Sequence, residues 1–342
     1  MPNADDRDEA STERSVRVRV FVSGELERED TTLSQESLRD LAEDRLVWID
    51  LVNPERATLE VLADIYSLHP LTVDEVFDTH RESDVSTFDG SAHIVIYYPY
   101  RHDHTFTSGE IQVIIGQGFL ISIHEPDILD PDDVFGPWRA TPAKWRSTSS
   151  SLLYAILRTA MSAFSPIADH LSDALEELED TAMDPENRGT PKRETLYKLF
   201  DLTEQITDLH NIAMPMKDMM QSLIHNSDWF SLENGNAYTR DIADDVVHLV
   251  NRTHMLRDTG QRLFEMVNSL VTLQRTDVSK QLTIVATIFL PLSFVASYFG
   301  QNFQFMTDAV ASRDAYLFWG LGVQLFTLVS IFLALWKFGA FR

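Results

Sequence analysis

Apolar and polar positions alternate early in the chain. Val16, Val18, Val20 and Val22 share one parity, with Arg17, Arg19 and Phe21 between them, and this period of two predicts a β-strand. Further strands are predicted at Leu46–Val52, His93–Tyr100 and Ile111–His124, the last broken by Gly116-Gln117-Gly118, a hairpin signal. Between them Ser34–Glu43, Pro54–Ser67 and Pro70–Thr79 carry helical spacing, with proline accommodated in a first turn. Beyond Ser151 the strand signals stop. Leu152–Ala182 and Lys192–His225 read as two long helices, parted by a segment from Asp184 to Pro191 too rich in breakers to be helical. No proline occurs from Tyr238 to Leu290, and Val246, Val250, Leu263, Val267, Leu270, Val271 and Val278 keep helical spacing. One helix is therefore predicted from about 238 to 299, some ~90 Å long at ~1.5 Å per residue.

Two runs then carry no formal charge at all: 27 residues from Gln281 to Thr307 and 22 from Ala315 to Trp336. About 20 apolar helical residues cross a ~30 Å hydrocarbon core, so each run is long enough to span a membrane. Arg275, Lys280, Lys337 and Arg342 flank these spans on one side and only Arg313 lies in the connecting loop, which places both termini in the cytoplasm. Met1 to Glu13 is polar and acidic, without the apolar stretch of a signal peptide. The expected location is the cell (inner) membrane.

These patterns predict an α+β membrane protein. Its parts are a disordered leader (1–15), a cytosolic mixed α/β domain (16–150), a cytosolic helical hairpin (151–237) and a stalk helix (238–281). A first transmembrane helix (282–300), an external loop (301–315), a second transmembrane helix (316–336) and a cytosolic tail (337–342) complete it. So long a helix cannot hide its apolar stripe within one subunit, and bundling with copies of itself predicts a homo-oligomer.

Composition narrows the function. The 342 residues include 28 Lys and Arg against 53 Asp and Glu, a net charge of −25, and no cysteine. Disulfides and cysteine-based zinc sites are excluded, and so negative a chain disfavours nucleic acid while favouring cations. Residues 281–342 sum to +1, so the first 280 carry −26. The acidic run Asp169, Asp173, Glu176, Glu177, Glu179, Asp180, Asp184 and Glu186 reads first as a solvated helix face and second as a cation-attracting surface. No phosphate-binding loop, dinucleotide fingerprint or nucleophile elbow is present, so neither enzyme activity nor an organic cofactor is expected.

The first apolar run reads Leu282-Thr283-Ile284-Val285-Ala286-Thr287-Ile288-Phe289-Leu290-Pro291-Leu292-Ser293-Phe294, and it ends in Gly300-Gln301-Asn302-Phe303. This resembles the CorA family of divalent-cation channels, whose helix of the same pattern ends in Gly-Met-Asn-Phe; here Gln301 replaces the Met. Trp48-Ile49-Asp50-Leu51, Leu68-His69-Pro70-Leu71 with Asp74-Glu75, and Tyr238-Thr239-Arg240-Asp241 fall in family order.

The resemblance implies a homopentameric funnel whose first membrane helices line the pore and whose second helices face lipid. Thr276, Ser279, Thr283, Thr287, Leu290, Ser293 and Ser297 recur at three- and four-residue steps, a small and hydroxylated stripe suited to that lining. The same hydroxyls can instead bond their own backbone or pack helices together. Gly300, Gln301 and Asn302 would form the selectivity filter, five copies of neutral oxygens selecting hydrated Mg²⁺ through its outer shell. Leu290 sits where a hydrophobic gate is expected. Asp74, Glu75 and Asp241 would bind regulatory Mg²⁺ between subunits, closing the pore when internal Mg²⁺ is high.

Passive uptake needs no coupled energy source, since a divalent ion gains ~4.6 kcal/mol crossing an interior-negative 100 mV, twice the ~2.3 for one charge. The departures from the family pattern keep Zn²⁺ transport of the ZntB type in view, with Co²⁺ and Ni²⁺ as further cargo. Of the 11 histidines only His102 and His104 are close in sequence, and a polar strand edge or loop is their expected home. A non-conducting membrane sensor or scaffold is the reading from a different class.

Overall fold

The computed structural model describes residues 15–32, 45–78, 82–88, 90–102, 105–183, 193–225, 235–301, 304, 308 and 312–337. The helix predicted at Ser34–Glu43, residues 1–14 of the leader and His104 lie outside the described residues, as does the side chain of His102. Ser15, read as leader, already belongs to the first strand.

Seven strands form one sheet: β1 (Ser15–Val22), β2 (Glu25–Asp30), β3 (Arg45–Val52), β4 (Asp84–Phe88), β5 (Ser91–His102), β6 (Thr105–Gly116) and β7 (Phe119–His124). Their order is β2-β1-β3-β7-β6-β5-β4. Every neighbouring pair is antiparallel except β3 and β7, which run parallel. A parallel pair cannot be closed by a tight turn, so the chain between β3 and β7 crosses over and carries α1 (Arg56–Tyr66) and α2 (Pro70–Phe77) with it.

Those helices cover one face of the sheet, where Val47, Ile49 and Leu51 of β3 pack with Leu59 and Leu62 of α1, Val73 and Val76 of α2, and Ile121 and Ile123 of β7. The opposite face meets α3 (Pro131–Arg139): Trp138 lies 4.7 Å from Phe21 and Phe135 lies 5.8 Å from Trp48, ring centre to ring centre. Covered on both sides, β3 is apolar at nearly every position instead of alternating.

The hairpin at Gly116–Gly118 forms as its sequence predicts. Gly116 pairs with Phe119, and Gly118 takes a φ of +78°, a conformation that costs an L side chain. At the sheet's edge, β2 is written Glu-Leu-Glu-Arg-Glu-Asp, and charges of this kind keep an open edge from pairing with another chain.

The chain divides into two compact units, residues 1–181 with 197–263, and residues 182–196 with 264–342. Besides the sheet, the first unit contains the short α4 (Ala143–Arg146) and most of α5 (Ser149–Met183) and α6 (Arg193–His225), with the start of α7 (Gly235–Phe299). Contacts fix their sense. His210 Nδ1 of α6 lies 2.9 Å from Thr253 Oγ1 of α7, and Thr203 lies against Gly260, so α6 and α7 are antiparallel. Arg158 pairs with Asp245 and Arg252 with Asp169, so α5 and α7 run together.

In the second unit α7 continues to Phe299, and α8 (Arg313–Lys337) follows, with a π-helical stretch at Tyr316–Gly322. Among the described residues three helices are long and apolar enough to span a membrane. The apolar window of α5 is 67% buried, whereas those of α7 and α8 are 0% buried. The latter two present unsheltered apolar surface along their windows, including Leu282, Phe289, Phe294, Phe326, Phe332 and Trp336.

Candidate ion pathway and regulatory carboxylates

On α7 the stripe Thr276, Ser279, Thr283, Thr287, Leu290, Ser293 and Ser297 is helical throughout and exposed in the single chain. At ~100° per residue the seven positions fall within an arc of ~120°, one face of the helix. Thr276, Ser279, Thr283 and Thr287 line a groove of about 560 Å³ with Arg275, Lys280, Ile284 and Leu335. Leu290, Ser293 and Ser297 lie outside that lining.

Three of these hydroxyls bond their own helix, one of the alternatives open at the sequence level. Thr276 Oγ1 donates to the Thr272 carbonyl at 3.0 Å, Thr283 to Ser279 at 2.8 Å and Thr287 to Thr283 at 2.7 Å. The bond uses the hydroxyl proton and leaves the oxygen with lone pairs only. Such an oxygen accepts from water and cannot donate. Waters around a divalent cation turn their protons outward, so a column of acceptors matches a hydrated cation better than an anion. Pro291 adds to this, because it has no N–H to offer the carbonyl of Thr287, four residues earlier.

The helix closes at the glycine. Gly300 N–H donates to the Ala296 carbonyl at 3.0 Å and Gln301 N–H to Tyr298 at 3.4 Å. A Cβ at position 300 would sit 3.3 Å from the Ala296 carbonyl oxygen, a tight contact that glycine avoids. Asn302 lies outside the described residues.

The three carboxylates predicted to sense cation all fall in the first unit. His69 starts α2 by accepting from Leu71 N–H at its Nδ1, 3.2 Å away, with Pro70 in the first turn. That turn sets Asp74 and Glu75 on α2. Asp74 accepts from Arg56 of α1. Glu75 Oε2 lies 3.1 Å from Nδ1 of His93, a buried residue of β5. The other ring nitrogen of His93 meets Gln112 Oε1 at 2.8 Å, and Gln112 in turn donates to the Val76 carbonyl and to Glu110. Glu110 closes the chain on Tyr97, whose phenol is pushed up to about 12 by burial and by the neighbouring carboxylate.

Asp241 stands near the foot of α7. Tyr238, one turn earlier, stacks on Trp145 at 4.4 Å and meets Tyr154 edge-on at 5.0 Å. Asp241 itself lies 3.6 Å from Arg158 Nη1, and the same guanidinium bonds Asp245. Among the described residues no group of three or more His, Cys, Asp or Glu is placed to hold a metal ion within one chain.

The basic partners Arg56, His93 and Arg158 escaped the sequence reading, because each pairing joins separate elements and leaves no local signal. A second buried network was missed for the same reason. Trp48 Nε1 donates to Ser122 Oγ at 2.9 Å, Ser122 donates to Asp50 Oδ1 at 2.5 Å, and Asp50 Oδ1 accepts from His124 Nε2 at 3.2 Å. Burial pushes His124 down, but the hydrogen bond and charge of Asp50, with the Glu125 carbonyl on Nδ1, outweigh it and raise the imidazole above its ordinary value.

Residues 43–339 match the family described as CorA-like Mg²⁺ transporter protein. The cobalt/magnesium transport protein CorA of Thermotoga maritima is 23% identical over 269 residues, covering 76% of this chain and 74% of that one. The complete structure of the CorA magnesium transporter from Methanocaldococcus jannaschii superposes with a TM-score of 0.72 at 18% identity, over 94% of this chain and 96% of that one. The cytoplasmic domain of ZntB from Vibrio parahaemolyticus gives a TM-score of 0.58 at 12% identity, over 75% of this chain and 97% of the domain, a likeness of fold alone. With an α/β part followed by membrane-length helices, and the family pattern running through residues 43–339, this chain belongs to the CorA-like Mg²⁺ transporter family.

Proposed function

We propose that five copies of this chain form a passive divalent-cation channel of the cell (inner) membrane, with both termini in the cytoplasm and Mg²⁺ as the preferred cargo. The observation that carries this reading is the one-sided stripe on α7, whose threonine oxygens are held as acceptors by their own backbone bonds. A hydrated cation passes such a surface without losing its inner waters, which Mg²⁺ surrenders reluctantly. The interior-negative potential supplies ~4.6 kcal/mol per divalent ion at 100 mV, so flux inward needs no nucleotide or organic cofactor.

In this reading Gly300, Gln301 and Asn302 select the ion at the outer mouth and Leu290 constricts the pore by dewetting. Asp74 and Glu75 of one subunit approach Asp241 of the next, and internal Mg²⁺ bridges them in the closed state. Losing that ion restores repulsion among the carboxylates and favours opening, because the ion binds the closed state more tightly. The names of the relatives, magnesium and cobalt/magnesium transport proteins, support Mg²⁺ or Co²⁺ as cargo.

The test is the variant Asn302→Ala, reconstituted in proteoliposomes after its oligomeric mass has been measured. The reading expects particles of five times 39.0 kDa and loss of Mg²⁺ uptake in the variant. Uptake at the unaltered rate with unchanged preference among Mg²⁺, Co²⁺, Ni²⁺ and Zn²⁺ would remove Asn302 from the filter. Flux of Zn²⁺ alone in the unsubstituted protein would move the chain to the ZntB-type reading.

A further inference from the structure

Each of the proposed sensing carboxylates already faces a basic side chain of the protein's own. Arg56 bonds Asp74, His93 contacts Glu75, and Arg158 lies between Asp241 and Asp245. We propose that Arg158 and Arg56 are resident counter-cations of the regulatory site, and that their competition with Mg²⁺ sets the internal concentration at which flux stops. This inference rests on the gating reading above and deepens it.

The geometry at Arg158 is specific. Asp241 and Asp245 are one turn apart on α7, so their side chains share a face and repel. Arg158 reaches that face from α5 and leaves the trio with a net charge of −1. Both ends of the contact are fixed in place, since Tyr154, one turn before Arg158, packs against Tyr238, one turn before Asp241. At Asp74 the arrangement is similar: Arg56 also contacts Glu60 at 3.4 Å and lies over the Phe77 ring at 5.5 Å.

Exposure decides how strongly these cations compete. Arg158 and Asp241 are 42% and 58% exposed, and Arg56 and Asp74 are 50% and 55% exposed. Ion pairs so open to water are weak and screened by salt, so a divalent ion displaces them. A weak competitor still shifts the midpoint, because metal binds only the fraction of carboxylate that the arginine has released. Removing the arginine should therefore lower the Mg²⁺ concentration for half-inhibition, by about two- to fivefold for a pair of this strength.

The experiment measures potential-driven uptake in proteoliposomes against internal Mg²⁺, for the unsubstituted protein, Arg158→Gln, Arg56→Gln, Arg158→Lys and Arg252→Gln. Arg252 makes the same kind of link between α5 and α7, to Asp169 at 2.5 Å, but away from the sensing carboxylates. The proposal expects half-inhibition at lower Mg²⁺ for both Gln variants at the first two sites. Arg158→Lys should stay within about twofold of the parent, and Arg252→Gln should not move. A parallel Mg²⁺ titration of the thermal midpoint in detergent reads the same site without flux, and the midpoint should rise at lower Mg²⁺ in Arg158→Gln and Arg56→Gln. Half-inhibition that is unchanged or moves to higher Mg²⁺ in both Gln variants, beside a parent that Mg²⁺ inhibits, would overturn the proposal. A parent indifferent to internal Mg²⁺ would instead overturn the gating reading beneath it.

Discussion

Replacing Asp50 by Asn removes one negative charge from the centre of the sheet and leaves volume almost unchanged. Asp50 is 3% exposed and His124 is 5% exposed. In the parent, both ring nitrogens of His124 face acceptors, the Glu125 carbonyl at 2.7 Å and Asp50 Oδ1 at 3.2 Å, an arrangement that the imidazolium, donating at both, satisfies below the raised folded value. Breaking a buried pair by removing one partner costs about 3–5 kcal/mol, because the other charge is left without compensation. At about 2–4 °C per kcal/mol, the melting point should fall by some 6–20 °C at pH 5.5.

The loss should shrink as pH rises. The folded value of His124 is raised above the ordinary ~6.5, so the folded parent binds the extra proton between those two values and its stability declines across that window. The pair's contribution is complete below ~6.5 and lost as pH passes the raised folded value. In Asp50→Asn the neutral ring needs no counter-ion, so parent and variant should converge at high pH. The assay is a thermal melt of the full chain in detergent at a series of pH values. Intrinsic fluorescence is a fitting readout, since Trp48 donates into the same network. A difference that stays constant from pH 5 to pH 9, or one that grows with pH, would refute the imidazolium assignment.

The packing of the core and the surface ion pairs set further outcomes. Gly109→Ala places a Cβ 2.2 Å from Ile128 Cδ1, and overpacking of this kind should cost about 1–3 kcal/mol in a chemical melt. Phe164→Ala empties a side chain that is 1% exposed on α5, and the expected loss is about 3–5 kcal/mol by the same measurement. Arg252→Ala removes an exposed ion pair and should change stability by no more than about 1 kcal/mol. Charge-neutral replacement of Glu75 together with Asp241 should keep uptake high at internal Mg²⁺ that silences the parent; unchanged inhibition would remove these residues from gating.

Legibility in the sequence tracked how local each signal is. The valines at 16, 18, 20 and 22 announce β1, and the unbroken spacing from Tyr238 onward announces α7. The strand β2 was invisible because an edge strand made of charges has no apolar alternation, and β4 because five residues, Asp84–Phe88, are too few to show a period. For α3 a signal existed: Asp130 caps the helix by accepting from Asp132 N–H, and Pro131 fills the first position.

Of the pathway, the stripe was legible because helical spacing places Thr276 through Ser297 on one face. The fate of each hydroxyl proton was not, since backbone bonding and an open hydroxyl share one sequence. The polar links of Arg56, His93 and Arg158 and the Asp50–His124 pair depend on elements up to 87 residues apart, brought together only by the crossover and the helix packing. On the acidic arm of α5, Glu176, Glu177, Glu179 and Asp180 are exposed, as both readings of that run require.

The most direct measurement of the central claim is divalent uptake into proteoliposomes holding an ion-sensitive dye, with and without an imposed interior-negative potential and with no nucleotide present. The account predicts Mg²⁺ entering when the potential is applied, at a rate that rises with it and falls as internal Mg²⁺ accumulates. Verified pentamers that pass no divalent ion under that potential would contradict it and leave a membrane sensor or scaffold as the better description.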